Sequence, residues 1–184
     1  YVNSQSIDRA LVKFDLTAIS NSIASGLITN PSFHLKVKIC NEYELPIDYS
    51  VYAFPISQSW EMGNGYASDG GSDEGASWLY RDFDDGTPWS ASGGTYYQYP
   101  CTQSFSYKSA DIDMDVSSIV NLWIAGTIPN EGFLIISSDE VHPTGSGYWL
   151  KYFSQDTNTI YSPYLDVGWS DDYTFVTGSI TTSS

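Results

Sequence analysis

The clearest pattern along the chain is a strict alternation in "SFHLKVKI", residues 32–39, where Phe33, Leu35, Val37 and Ile39 oppose His34, Lys36 and Lys38. A period of two predicts a strand with one buried face. The same period recurs where Ile112, Met114 and Val116 oppose Asp111, Asp113 and Asp115. "RALVKFDL" (9–16) reads as a strand followed by a turn at "TAISNS". "DYSVYAFPI" (48–56), "GFLIISS" (132–138), "GYWLKYFS" (147–154) and "PYLDVGW" (163–169) supply further strands. Only "SSIVNLWIAG" predicts a helix, with Ile119, Val120, Trp123 and Ile124 as its apolar stripe. Asp115 or Ser117 is placed to cap it and Gly126 to stop it. Some eight strands and one short helix near 117–125 predict an all-β fold, an antiparallel β-sandwich of the jelly-roll type. No internal repeat stands out.

Periodicity fails in "SWEMGNGYASDGGSDEGASWLYRDFDDGTPW", residues 59–89, which holds three tryptophans, seven acids, six glycines and one arginine. With its continuation to about residue 100 it is too long for a structureless loop inside a compact domain. Short strands are expected around "ASWLYRDF" and "GTYYQY". The domain is expected to run from residue 1 to 169 and a linker-like tail from 170 to 184, the chain being a segment of a longer polypeptide.

Charge narrows the function. Seven Lys and Arg face 22 Asp and Glu, a formal net charge of -15 over 184 residues. Without a basic footprint to neutralise phosphates, a nucleic-acid partner is not expected. No apolar run approaches membrane-spanning length, so no membrane insertion is expected. Such acidity suits an extracellular, cation-binding or particle surface. Cys40 and Cys101 do not make a disulfide framework, and the reading favours buried free thiols.

Four ordered segments carry a resemblance: "RALVKFDL", "VYAFPISQSWE", "DIDMDVSSIVNLWIAGTIPNEGFLI" and "YFSQDTNTIYSPYLDVGW". Their order and spacing resemble the DNRLRE-type β-sandwich domain. The matching features are Arg9, Phe14 and Asp15; Trp60 and Glu61; Asp115, Val116 and Trp123; Asn130, Gly132 and Phe133; and Phe153, Ser154 and Pro163. The strand before Arg9 is shorter than the family pattern, and the Trp60–Trp89 stretch is longer and richer in glycine. "FPISQSWEMGNG", "GTIPNEGFLIISSDEVHPTGSG" and "FSQDTNTIYSPYLDV" are similar to virion structural proteins of marine tailed phages, cyanophages especially. The resemblance implies a structural or adhesion module on a virion exterior, with other virion subunits and a host-surface glycan as partners. It also implies that Trp60 anchors the core of the sandwich.

The residues themselves leave several chemistries to weigh. His34 lies on the polar side of a strand and His142 in the loop "DEVHPTG" beside Asp139. No nucleophile elbow completes a triad, since "GSG" around Ser146 lacks the flanking pattern. Carboxylate pairs for glycoside hydrolysis are uninformative where acids are this abundant, so a hydrolase is the weakest reading and no enzyme activity is expected. "DFDDG" (82–86) lacks the glycine position and terminal Glu of an EF-hand. Crowded carboxylates would still welcome calcium, with Asp69, Asp73, Glu74, Asp82, Asp84 and Asp85 as candidate ligands; no other cofactor is expected. Trp78, Tyr80, Trp89, Tyr96, Tyr97 and Tyr99 form a candidate sugar-stacking platform. The same side chains equally suit core and interface packing. Arg81 is expected to hold the loop through a bidentate carboxylate contact, and Arg9 to pair with Asp15 or a neighbouring carboxylate. Taken together, a non-enzymatic structural and adhesion module leads, with a carbohydrate-binding module of a secreted bacterial protein as the alternative.

Overall fold

The computed structural model describes residues 2–3, 8–43, 48–63, 75–106, 111–141, 149–155 and 159–170. The fold is all-β and sandwich-like, with every strand pairing antiparallel. In chain order the elements are β1 (Val2–Asn3), β2 (Ala10–Val12), α1 (Thr17–Ala24), β3 (Ser32–Val37), β4 (Ile39–Tyr43) and β5 (Asp48–Pro55). They continue with β6 (Tyr80–Asp82), β7 (Thr87–Pro88), β8 (Cys101–Ser106), β9 (Ile112–Asp115) and α2 (Ser117–Ile124). The last are β10 (Phe133–Ser137), α3 (Ser138–Val141), β11 (Trp149–Tyr152) and β12 (Tyr164–Gly168). One layer is the sheet β2-β10-β5-β8; the other combines β9-β3-β12 with β4-β11-β1, since β4 continues β3 past Lys38.

The alternation read from the sequence fills the space between the layers. Phe33, Leu35 and Val37 of β3 and Ile112 and Met114 of β9 face Val51, Ala53, Phe133 and Ile135 of the opposite sheet. α2 closes one end with Ile119, Val120 and Trp123 buried, the indole of Trp123 4.6 Å from the Phe133 ring. Cys101 and Cys40 are both free, but only Cys101 is buried; Cys40 is exposed, against the reading of two buried thiols.

The structure corrects the helix count. "TAISNS" is the start of α1, an eight-residue helix, rather than a turn. Its apolar stripe is thin, no residue of it is buried, and its polar positions conceal the helical period. α1 and α2 are counterparts. Asp15 accepts the Thr17 N–H at 2.8 Å, as Asp115 accepts the Ser117 N–H at 2.9 Å. Each helix ends two residues before a glycine at positive φ, 74° at Gly26 and 67° at Gly126, a backbone state that glycine adopts without steric cost.

The correspondence extends along the chain, and it overturns the expectation of no internal repeat. Asp15, Ile19, Asn21, Gly26, Ile28, Asn30 and Phe33 recur as Asp115, Ile119, Asn121, Gly126, Ile128, Asn130 and Phe133. Strand pairing obeys the same relation: β2 pairs with β10 as β9 pairs with β3. β5 pairs with β10 as β12 pairs with β3, while the further pairing of β5 with β8 has no counterpart beside β12 among the described residues. The sandwich is therefore two strand–helix–strand units exchanging strands about a pseudo-two-fold axis. The repeat is hard to see in sequence because identity survives only at caps, helix stops and strand entries.

Candidate ligand-binding site

Residues 59–63 and 75–99 form an outer layer on the far face of the β2-β10-β5-β8 sheet. Phe54 and Ile56 of the β5 segment and Leu134 and Ile136 of β10 turn their side chains outward. Trp89 is buried against them, with Trp60, Ala76 and Tyr96 packed partly alongside. This second cluster explains why every residue of β10 is buried, odd positions facing one core and even positions the other. Trp60 thus belongs to the outer cluster rather than to the core between the sheets, with its Nε1–H donating to Glu131 O at 2.8 Å. Trp89 Nε1–H donates to Ser77 O at 2.9 Å, so both indoles enter apolar surroundings with their one donor satisfied.

Arg9 fastens this layer. Its Nε donates to both Glu140 oxygens at 3.0 and 3.2 Å, its Nη2 to Glu140 Oε1, and its Nη1 to Gly93 O. The guanidinium also lies over the Trp78 ring, 4.9 Å from its centroid. The partner is Glu140 rather than Asp15, because Asp15 points its carboxylate at Thr17. Arg81, by contrast, pairs with no carboxylate among the described residues: its Nη1 donates to Ser59 O at 3.0 Å and Ser59 Oγ at 2.8 Å, since the β6–β7 hairpin lays it against residue 59.

Beside this fastening a cleft of about 1170 Å³ runs along β2, which is an edge strand. Residues 8–15 form one wall; Trp60, Glu61 and Trp78 stand on the outer-layer side, and Tyr152 and Phe153 opposite. Trp78 keeps 41% of its surface exposed although its position is fixed. Its carbonyl accepts the Gly93 N–H, and a Cβ at Gly93 (φ +83°) would stand 2.7 Å from Arg9 Nη1 and 2.8 Å from the Trp78 ring. Only a residue without a side chain allows that approach.

The sequence-predicted aromatic residues divide. Trp78 and Trp89 line the cleft, Trp89 mostly buried. Tyr96 packs on Phe54 at 4.7 Å, and Tyr80 meets Phe83 edge-on at 5.5 Å. Tyr97 and Tyr99 stack together at 6.4 Å, with Tyr99 exposed. One shared platform is therefore not formed by these six. Trp60, Arg9 and Glu140 join the cleft region from distant parts of the chain. Among the calcium candidates, Asp69, Asp73 and Glu74 lie outside the described residues, as do His142 and Ser146. Asp82 accepts the Asp85 N–H at 3.2 Å, a local turn, and Asp84 is exposed. Among the described residues no group of three His, Cys, Asp or Glu side chains converges as a metal site.

The outer face of β3 carries the polar pattern read from the sequence. Lys36 and His34 both contact Asp113, at 2.5 and 2.9 Å, and Lys38 contacts Asp111 at 2.8 Å. Contact with Lys36 and His34 holds the Asp113 carboxyl below its ordinary range. Burial pushes the Cys101 thiol up, which leaves it a poor nucleophile.

The chain matches no family model, no curated protein and no solved structure. The resemblance to the DNRLRE-type sandwich is accordingly carried by the quoted segments alone.

Proposed function

We propose that this chain is a non-enzymatic adhesion module that recognises a glycan in the cleft beside β2. The observation that carries the reading is the exposed face of Trp78, held from behind by Arg9 and Gly93 at the rim of a cavity large enough for a sugar unit. A rigid indole offers an apolar face to sugar C–H groups at little entropic cost, because its position is fixed before the ligand arrives. Polar groups on the same wall, from Arg9 to Lys13, would orient the ring. On a virion exterior, as the sequence resemblance implies, the module would bind host glycans while its strand faces pack against neighbouring subunits. A secreted carbohydrate-binding module would use the same cleft.

A second reading, subunit packing alone, is favoured by one observation. Ile160, Tyr161, Tyr164 and Trp169, around β12, are all exposed apolar or aromatic residues. A glycan array probed with the wild-type chain and with Trp78→Ala, with calcium and with a chelator, separates the readings. The glycan reading expects specific binding that Trp78→Ala abolishes. Absence of binding from a folded sample leaves packing alone.

A further inference from the structure

The two pseudo-equivalent strand edges, β9 and β2, are treated differently. Ladder alternation fixes which backbone groups each edge presents. On β9, the Val116 N–H donates to Phe33 O, which places Ile112 and Met114 toward β3 and turns Asp111 and Asp113 outward. The carboxamide of Gln103, in β8, closes that edge: its Nε2 donates to Asp111 O at 3.1 Å and its Oε1 accepts the Asp113 N–H at 2.7 Å. One amide thus satisfies one carbonyl and one N–H two residues apart.

On β2 the same arithmetic applies. The Ile56 N–H donates to Gly132 O, so Phe133 and Ile135 turn toward β2 and pair with Val12 and Ala10. Leu11 and Lys13 therefore present their backbone outward. Both line the cleft; they match Asp111 and Asp113 by sequence offset, although Val12 pairs with Phe133 where Val116 pairs with Phe33, so the β2 edge is set four residues along in register. No described side chain serves Leu11 O and the Lys13 N–H as Gln103 serves the other edge.

We infer that the ligand of the cleft is an N-acetylated amino sugar, whose acetamido group bonds Leu11 O and the Lys13 N–H while its ring lies against Trp78. The inference rests on the glycan reading above. An acetamido group carries the same donor and acceptor as the Gln103 carboxamide. A neutral sugar also suits the site's charge: Arg9 and Lys13 are already paired with Glu140 and Glu131, and Glu61 stands on the wall. Acidic sugars would meet a chain of net charge -15. An added peptide strand is the poorer fit, because β2 is three residues long and presents one such amide-sized pair rather than a ladder.

The test is titration of the chain with N,N′-diacetylchitobiose and with cellobiose, which has hydroxyls where the former has acetamido groups, following the Lys13 amide resonance. Two hydrogen bonds predict a preference of roughly tenfold for the acetylated disaccharide, with the Lys13 N–H shifting on binding. Equal affinities, or a preference that leaves the Lys13 N–H unmoved, would overturn the inference and leave glycan recognition standing. Stronger binding of an acetylated dipeptide amide at the same resonance would also overturn it. Failure of every saccharide on the array would remove the glycan reading itself.

Discussion

Replacing Arg9 by Met keeps much of the side chain's bulk and removes the charge that ties β2 to α3 and to the outer layer. The pair is mostly buried, with side-chain exposures of 15% for Arg9 and 12% for Glu140. Breaking a fully buried pair by removing one partner costs about 3–5 kcal/mol, because the other charge stays desolvated. Allowing for the remaining exposure and for the contact with Trp78, the expected loss for Arg9→Met is about 2–3 kcal/mol. For a chain of this length that lowers Tm by roughly 4–12 °C. Urea unfolding of Arg9→Met, Glu140→Gln and the double variant forms a cycle, in which the expected coupling is about 1.5 kcal/mol. Near-ultraviolet circular dichroism should also show Trp78 losing its fixed surroundings in Arg9→Met. Additivity within about 0.5 kcal/mol would refute the clamp, since partners that do not interact show no coupling.

Gly93→Ala should destabilise by roughly 1–3 kcal/mol, through its positive φ and the displacement of Arg9 and Trp78, and should cost more ligand affinity than its stability loss explains. Gln103→Ala should cost about 1–2 kcal/mol and leave the Asp113 amide exchanging faster with deuterium, while the Val116 amide, bonded to Phe33 O, keeps its protection. Acid should weaken the fold in a defined window. Asp113 and Asp115 lie below the ordinary aspartate value of 3.8, the first through Lys36 and His34, the second through Ser117. Burial pushes Asp111 up, but Lys38 and the Ile39 N–H outweigh it and leave it lowered too. Depressed carboxyls bind fewer protons folded than unfolded, so their contribution is present above about pH 4 and is lost as pH falls through their folded values. Asp113→Asn should therefore be less stable than wild type at neutral pH and converge with it toward about pH 2, as followed by urea midpoints.

The faces of β3 and β9 were legible because each has one buried side, so burial imposes a period of two on the residues. β10 was legible as a strand but not as a central one, since "FLIIS" shows no alternation when both faces are covered. The outer layer escaped prediction for a related reason. Its chain is irregular, and its attachment depends on Trp60, Trp89 and Arg9 finding partners such as Glu140, 131 residues away from Arg9 in sequence. The cleft was illegible for the same cause: β2, the outer layer and the segment after β11 meet only through the topology. The pseudo-two-fold was recoverable in principle. Aligning "DLTAISNSIASG" with "DVSSIVNLWIAG" exposes the shared cap, asparagine and glycine.

The most direct test of the account is to record the indole N–H resonances of the chain as it is titrated with the best glycan from the array. Recognition in the cleft predicts that Trp60 and Trp78, on its outer-layer side, shift together while Trp123, packed on Phe133 in the inter-sheet core, stays in place. Shifts that leave Trp78 unmoved and gather instead around Tyr97 and Tyr99, or around β12, would place recognition elsewhere and contradict it.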